Sequence, residues 1–179
     1  MTVLRLVWRA TASLGPSLPT TNAPCPPASI RSWGVPPPTA AIAALAWAAR
    51  TAGDFGSPAP TVAGLVAELT SRSDRQVEIW LADSGASLPP QDAPLGLVTL
   101  VTASRAGRRR LSIGWLLVHP AARRLGIGRG LVATALAAAQ SQGGREVWVE
   151  TRSDWTASLA FWRACGFTEP GALVNERRV

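Results

Sequence analysis

The chain has 179 residues and a formal net charge of +7, arising from 18 arginines and no lysine against 11 acids. That length suits one domain able to bury a core without staples, and two cysteines are too few for a disulfide framework, which points to a reducing, cytoplasmic setting. With one histidine and no metal-like spacing, no metal site is expected, and the missing lysine removes the phosphate-binding Walker loop.

Val3 to Arg9 alternates Leu4, Leu6 and Trp8 against Arg5 and Arg9, an amphipathic strand that begins the sheet. Residues 13–38 are proline-rich and read as an irregular or extended loop rather than an element. Thr39 to Ala52 carries Ile42, Leu45 and Ala49 at helical spacing between Pro38 and Gly53. A second helix starts at Thr61, whose hydroxyl can cap it, with Val62, Leu65, Val66 and Leu69 on its apolar face. Val77 to Ala82 is a strand, residues 84–94 a Pro/Gly loop, and Leu95–Ala103 with Leu111–Val118 a hairpin. Arg105 and Arg108 to Arg110 are expected at its solvated tip.

The stretch from Leu111 to Leu136 passes from an apolar strand through an Arg/Gly turn into a helix. Gly128, Leu131, Val132, Ala135, Leu136 and Ala139 form one apolar stripe, and Gly143-Gly144 supplies the stop. The first turn of a helix has N–H groups without partners and the positive end of the dipole, so an anion satisfies both. Gly126 and Gly128 let a phosphate approach the main chain, while Arg123, Arg124 and Arg129 add charge around it. The expected ligand is a phosphate or pyrophosphate.

A dinucleotide fingerprint is the competing reading, since Gly126, Gly128 and Gly130 are followed by Glu146 and Glu150 about 20 residues on. Spacing alone does not decide against it. However, Pro120 and two arginines separate Val118 from Gly126, whereas that fold places its first glycine in the tight turn at the strand end. Downstream, Glu146 to Thr151 is a strand parallel to the preceding one, because a helical crossover joins them, and Ala157 to Cys165 is a short helix ended by Gly166. Phe167-Thr168 starts a further strand, and residues 169–179 add a last short one.

Val118-His119-Pro120 followed by Arg123-Arg124-Leu125-Gly126-Ile127-Gly128 resembles the acyl-CoA pyrophosphate signature of the GNAT superfamily of N-acetyltransferases, V-x-P then R/Q-x-x-G-x-G/A. Trp155 to Phe167 is similar to that family's later helix pattern, with Trp155 in place of Asn, Ser158 in place of Ala and Trp162 in place of Tyr. The likeness runs from Leu95 to Phe167 and extends to earlier residues only in the order of elements.

The resemblance implies a mixed α+β (α/β) fold, a single acyl-CoA N-acyltransferase-like domain spanning 1–179. Its central sheet would be mixed and mostly antiparallel, with a parallel pair at the cofactor site and helices on both faces. It implies acetyl-CoA as co-substrate and a small-molecule or peptide amine as acceptor, in a monomer or homodimer. The main chain near Leu117 and Val118 would pair with pantetheine amides. Arg123, Arg124, Leu125, Gly126, Ile127, Gly128 and Arg129 would hold the pyrophosphate, and Ser158 and Trp162 would line the thiol end.

Trp162 cannot deliver a proton at neutral pH as the family's tyrosine does, yet a thiol with pKa near ~8.5 leaves largely as thiolate. Glu150, at the carboxyl end of its strand, is the first candidate for the base that deprotonates the amine, with Asp154 and Glu78 as alternatives. His119 is set aside, because its place in V-x-P points it away from the acceptor in the family. The missing Tyr and Asn motivate an alternative, a catalytically silent acyl-CoA-binding module. The charge motivates another, acetylation of a nucleic-acid-associated acceptor. Arginine abundance beside Ala, Gly and Pro reads more simply as base composition, so nucleic acid is not an expected partner. No stretch approaches the ~20 apolar residues of a membrane span.

Overall fold

A computed structural model of the chain describes residues 2–10, 29–33, 39–51, 61, 63–64, 67, 75–83, 94–105 and 107–170. Its elements are β1 (Val3–Arg9), β2 (Ser29–Trp33), α1 (Thr39–Thr51), β3 (Arg75–Asp83), β4 (Gly96–Arg105) and β5 (Arg108–Val118). A short 3-10 turn (Pro120–Ala122) leads into α2 (Ile127–Ser141), β6 (Glu146–Arg152) and α3 (Thr156–Ala164).

The six strands form one sheet in the order β1-β6-β5-β4-β3-β2. Every neighbouring pair is antiparallel except β5 and β6, which run parallel because α2 carries the chain back between them. This is the mixed, mostly antiparallel sheet that the sequence implies. It is not the doubly wound parallel sheet of a dinucleotide fold.

Two apolar clusters cover its faces. On one, α2 and α3 bury Leu131, Val132, Ala135, Leu136, Leu159 and Trp162 against Leu6, Val98, Leu100, Leu111, Ile113, Val147 and Val149. On the other, Ile42, Leu45, Ala46 and Ala49 of α1 pack on Ile79, Leu81, Leu97 and Leu117. Strand alternation sorts these sets, since Trp80 and Ala82 join the α2 face while Ile79 and Leu81 join the α1 face. The stripe read from the helix sequence is the buried one from Leu131 to Ala139, with Ile127 rather than Gly128 buried at its start. Each Leu or Val fully buried there contributes roughly 1.5–3 kcal/mol.

Helix α2 stops where the paired glycines stand. Gly143 takes φ +77, a left-handed value cheap only for glycine, and Gly144 N–H donates to Ala139 O at 2.9 Å. The expected cap of the second helix is present too, Gly64 N–H donating to Thr61 Oγ1 at 3.0 Å. The apolar face expected from Val62, Leu65, Val66 and Leu69 lies outside the described residues, as do the loop 84–93 and the tail 171–179.

Two expectations are corrected. The segment 13–38 contains a strand, β2, whose five residues pair with β3 from Ser29↔Asp83 to Trp33↔Ile79. Its sequence, SIRSW, is free of proline, so every N–H is available to a ladder, and Ile30 packs against the main core. The arginines of the β4–β5 hairpin do not sit on a tip. Arg108, Arg109 and Arg110 are inside β5, paired with Arg105, Ser104 and Ala103, and Gly107 just before them takes φ +73. Arg110 lies over the Trp148 ring, 4.6 Å from its centroid. Thr168 makes a bridge with Val7 on the outer side of β1, the start of the strand expected there.

Candidate functional site

The site begins with a break in the one parallel pair. β5 and β6 match residue for residue only from Leu111↔Val147 to Ile113↔Val149. Immediately after Ile113, β5 carries a bulge against β4, for Val98 faces Leu116 and Leu100 faces Ile113, leaving Thr99 opposite both Gly114 and Trp115. Thr99 Oγ1 accepts the displaced Trp115 N–H at 2.8 Å. A Cβ at position 114 would lie 2.9 Å from Val101 Cγ2 and 3.0 Å from Thr99 Oγ1, so the bulge requires glycine. The bend opens a wedge between the strands.

Beyond the bulge the peptide groups of β5 alternate. His119 N–H donates to Leu95 O at 2.8 Å across β4, which turns Leu117 toward β4 and leaves the N–H and C=O of Leu116 and Val118 facing the wedge. One of these is already used, since Arg123 Nε donates to Val118 O at 3.4 Å.

The Arg/Gly turn closes the end of the wedge. His119 caps the 3-10 turn, its Nδ1 accepting Ala121 N–H at 3.3 Å, which makes it a structural residue of the loop. The chain then enters the left-handed region twice, at Arg124 (φ +65) and Gly126 (φ +83). Leu125 between them is exposed and Ile127 after them is buried, so the loop is pinned at Ile127 and projects before it. Gly126 is the N-cap of α2 and makes no side-chain cap, and the first helical bond runs from Gly130 N–H to Gly126 O at 3.0 Å. The N–H groups of residues 126–129 therefore precede the helical ladder. A Cβ at Gly126 would meet nothing within 4 Å, so the turn is open on that side.

A cleft of about 830 Å³ lies along the wedge and α3; Arg123 lines it, whereas residues 124–129 do not. Ile113, Leu116, Leu117, Val118 and Val149 supply apolar walls, Arg123 stands at one end, and Glu150, Arg152, Asp154 and Trp155 stand at the other. Gly128 lets α2 meet α3, because a Cβ there would come 3.3 Å from the Phe161 ring and 3.5 Å from Val118 Cγ2. Ser158 and Trp162, one turn apart on α3, both line the cleft. Trp162 is buried and stacks edge-on with Phe161 and Phe167, each ring 5.2 Å away. Ser158 Oγ lies 3.2 Å from Thr151 Oγ1 on β6.

The candidate bases separate by environment. Glu150 lines the cleft with its side chain 55% exposed and receives Arg5 Nε at 2.9 Å. Asp154 is gripped by Arg152, whose Nε donates to Oδ1 at 2.9 Å, and this hydrogen bond holds its carboxyl below the ordinary value, a poorer base. Glu78 does not reach the site. It accepts Gln142 Nε2 at 2.6 Å beyond the C-terminal end of α2, a helix length from the loop. Cys165 is no nucleophile, because burial pushes its thiol up to about 11. Cys25 lies outside the described residues. Among the described residues no group of three metal-ligating side chains occurs.

Several residues of this site escape a reading by motif. Gly114 sits inside an apolar strand, the ordinary mark of a bulge, and would have located the wedge. Thr99 and Thr151 carry no local signal, since their roles depend on neighbours distant in the chain. Trp155 makes no side-chain cap at the start of α3, so the departure from Asn leaves that helix end without one.

The model of the acetyltransferase (GNAT) family matches residues 44–167, which includes β3 to β6, the loop and α3. The chain belongs to the GNAT acetyltransferase family. A comparison with curated proteins finds no match. Among solved structures, this GNAT chain is similar to a tandem GNAT protein from the clavulanic acid biosynthesis pathway, with TM-score 0.64, 16% identity, and 93% of this chain and 50% of that one covered. It is also similar to an aminoglycoside acetyltransferase from an uncultured soil metagenomic sample, solved with sisomicin, with TM-score 0.56, 18% identity and 76% and 86% covered. A GCN5-related N-acetyltransferase from Sphaerobacter thermophilus matches with TM-score 0.54, 18% identity and 93% and 48% covered. The chain thus spans half the length of the tandem protein. At these identities the likeness concerns the fold. Among the described residues, no helix of this acyltransferase domain is long and apolar enough to cross a membrane.

Proposed function

We propose that the chain is an N-acetyltransferase that uses acetyl-CoA and a primary amine. The observation that carries this reading is the uncapped N-terminus of α2, preceded by left-handed Arg124 and Gly126 and by Arg123, the residue of this turn that lines the cleft. Four ladder-free N–H groups and the positive end of the helix dipole suit a diphosphate, and Arg123, Arg124 and Arg129 add permanent charge. Leu125 projects beside it and Ile127 anchors the turn in the core.

The dimensions of the cleft suit the rest of the coenzyme. Its apolar walls match a pantetheine chain, and the peptide groups of Leu116 and the N–H of Val118 face that chain as a strand edge would, with Leu117 packing behind them. Ser158 and Trp162 flank the thiol end. When bound, the thioester supplies an acyl carbon for attack by a neutral amine. Glu150 is the residue to take the ammonium proton, since it lines the cleft, reaches solvent and lacks the bidentate arginine grip that weakens Asp154 as a base. A backbone N–H on the wedge side of β5 would meet charge developing on the acyl oxygen.

The structural neighbour solved with sisomicin makes polyamine-like acceptors a sensible part of any test. The experiment incubates the protein with acetyl-CoA and a panel of polyamines, amino acids, aminoglycosides including sisomicin, and peptide N-termini, following free thiol. Thiol release with one acceptor class supports the reading. Acetyl-CoA binding without release across the panel favours a silent acyl-CoA-binding module, and no binding overturns the coenzyme assignment itself.

A further inference from the structure

The cleft is apolar along most of its length, yet where β6 and α3 converge it holds a pair of hydroxyls. Thr151 Oγ1 and Ser158 Oγ are 3.2 Å apart, and both residues line the cleft. Thr151 is only 6% exposed, and its hydroxyl is paired with that of Ser158. Two hydroxyls bonded to each other have spare capacity, because one of the two protons is not used within the pair. Ser158 is half-buried on the cleft wall, so the remaining proton can turn toward a ligand in the cleft.

The position gives that proton a target. Ser158 lies four residues before Trp162, hence on the same face of α3, one turn nearer the helix start. Trp162 is locked between Phe161 and Phe167 and has no proton to give at neutral pH. Resting on the coenzyme reading above, we infer that the Thr151–Ser158 pair donates a hydrogen bond to the sulfur of coenzyme A, with Ser158 the contact and Thr151 the residue that orients it. As the acyl carbon–sulfur bond breaks, its electron pair stays on sulfur and the amine's proton goes to solvent through the base. The serine proton is shared with the sulfur and not transferred, since a serine hydroxyl is a far weaker acid than a thiol. The pair therefore does part of the work of the absent tyrosine without acting as an acid.

A hydrogen bond to the thiolate favours the charged form, so bound CoA thiol must titrate below its value in free CoA. Thiolate absorbance of free CoA bound to the protein, followed against pH, reads this without any acceptor. The expected result is thiolate binding about tenfold tighter than thiol, with the preference lost in Ser158→Ala and in Thr151→Val and retained in Thr151→Ser. Desulfo-CoA should bind all four proteins alike. A pair that only fastens α3 to β6 would leave bound CoA titrating as free CoA does, and that outcome overturns the inference. So does a shift that survives both Ser158→Ala and Thr151→Val. Failure of the wild-type protein to bind either CoA or desulfo-CoA would instead overturn the coenzyme reading on which the pair's role rests.

Discussion

Arg124 and Gly126 show how a single backbone angle links stability to binding. A non-glycine residue in the left-handed region costs roughly 1–2 kcal/mol, and Arg124 adopts it at φ +65 in the turn that presents the N–H groups of α2. Replacing Arg124 by Gly should therefore leave the melting temperature unchanged or raise it, while weakening CoA binding through the lost charge. A fall in both would show that the arginine side chain holds the loop. Gly126→Ala has the opposite balance. At φ +83 it should lower unfolding free energy by about 1–2 kcal/mol in a urea titration, although its Cβ meets no atom. Cys165 offers a pH signature. Its thiol titrates at about 11 when folded against 9.0 in the reference state, so the unfolded chain loses that proton first as pH rises. Stability from this group is full below about 9 and is lost as pH climbs to about 11, and peptide-mapped alkylation should find Cys165 protected in the native state at pH 8.

At the scale of elements, β5 is the strand whose irregularity creates function. Gly114→Ala would drive a Cβ to 2.9 Å from Val101 Cγ2, and such overpacking typically costs about 1–3 kcal/mol. The same change should weaken CoA binding, because it pushes β5 back toward regular pairing with β6; calorimetry on a folded variant checks this. Thr102 is the contrasting case on β4. Its buried Oγ1 has no partner among the described residues, so Thr102→Val should be neutral or stabilising in the same urea titration. The elements that were legible in the sequence are those with local causes. Leu131, Val132, Ala135, Leu136 and Ala139 announce α2 through their period, and Gly143 announces its end through an angle other residues avoid. Strand β2 was not legible, because Ile30 is the core contact among its described side chains, in a proline-rich surrounding, and its pairing is made by backbone. Arg108 to Arg110 misled for a related reason. Charge predicts exposure, and all three are exposed, but charge does not forbid an edge-on place in a strand.

For the whole molecule, the loop and the cleft were separable in how they could be read. The V-x-P and Arg/Gly motif is contiguous, so its place at a helix N-terminus follows from about ten residues. The wedge is not contiguous: it needs Thr99 on β4, Gly114 on β5 and Val149 on β6 to be brought together by the sheet order. Opposed helices on the two faces then fix the sheet, and the first turn of α2 packs beside the end of β5, where a Cβ at Gly128 would come 3.5 Å from Val118 Cγ2. That alignment of loop and gap is the physical content of the functional claim. The measurement that tests it most directly is a calorimetric titration of CoA into the wild-type protein and into Arg124→Glu at low and high salt. The account predicts binding by the wild type that weakens with salt, and a loss of at least about tenfold in affinity on charge reversal, as an anion held near a guanidinium requires. Absence of heat with the wild type, or equal affinity in the two proteins, would contradict it.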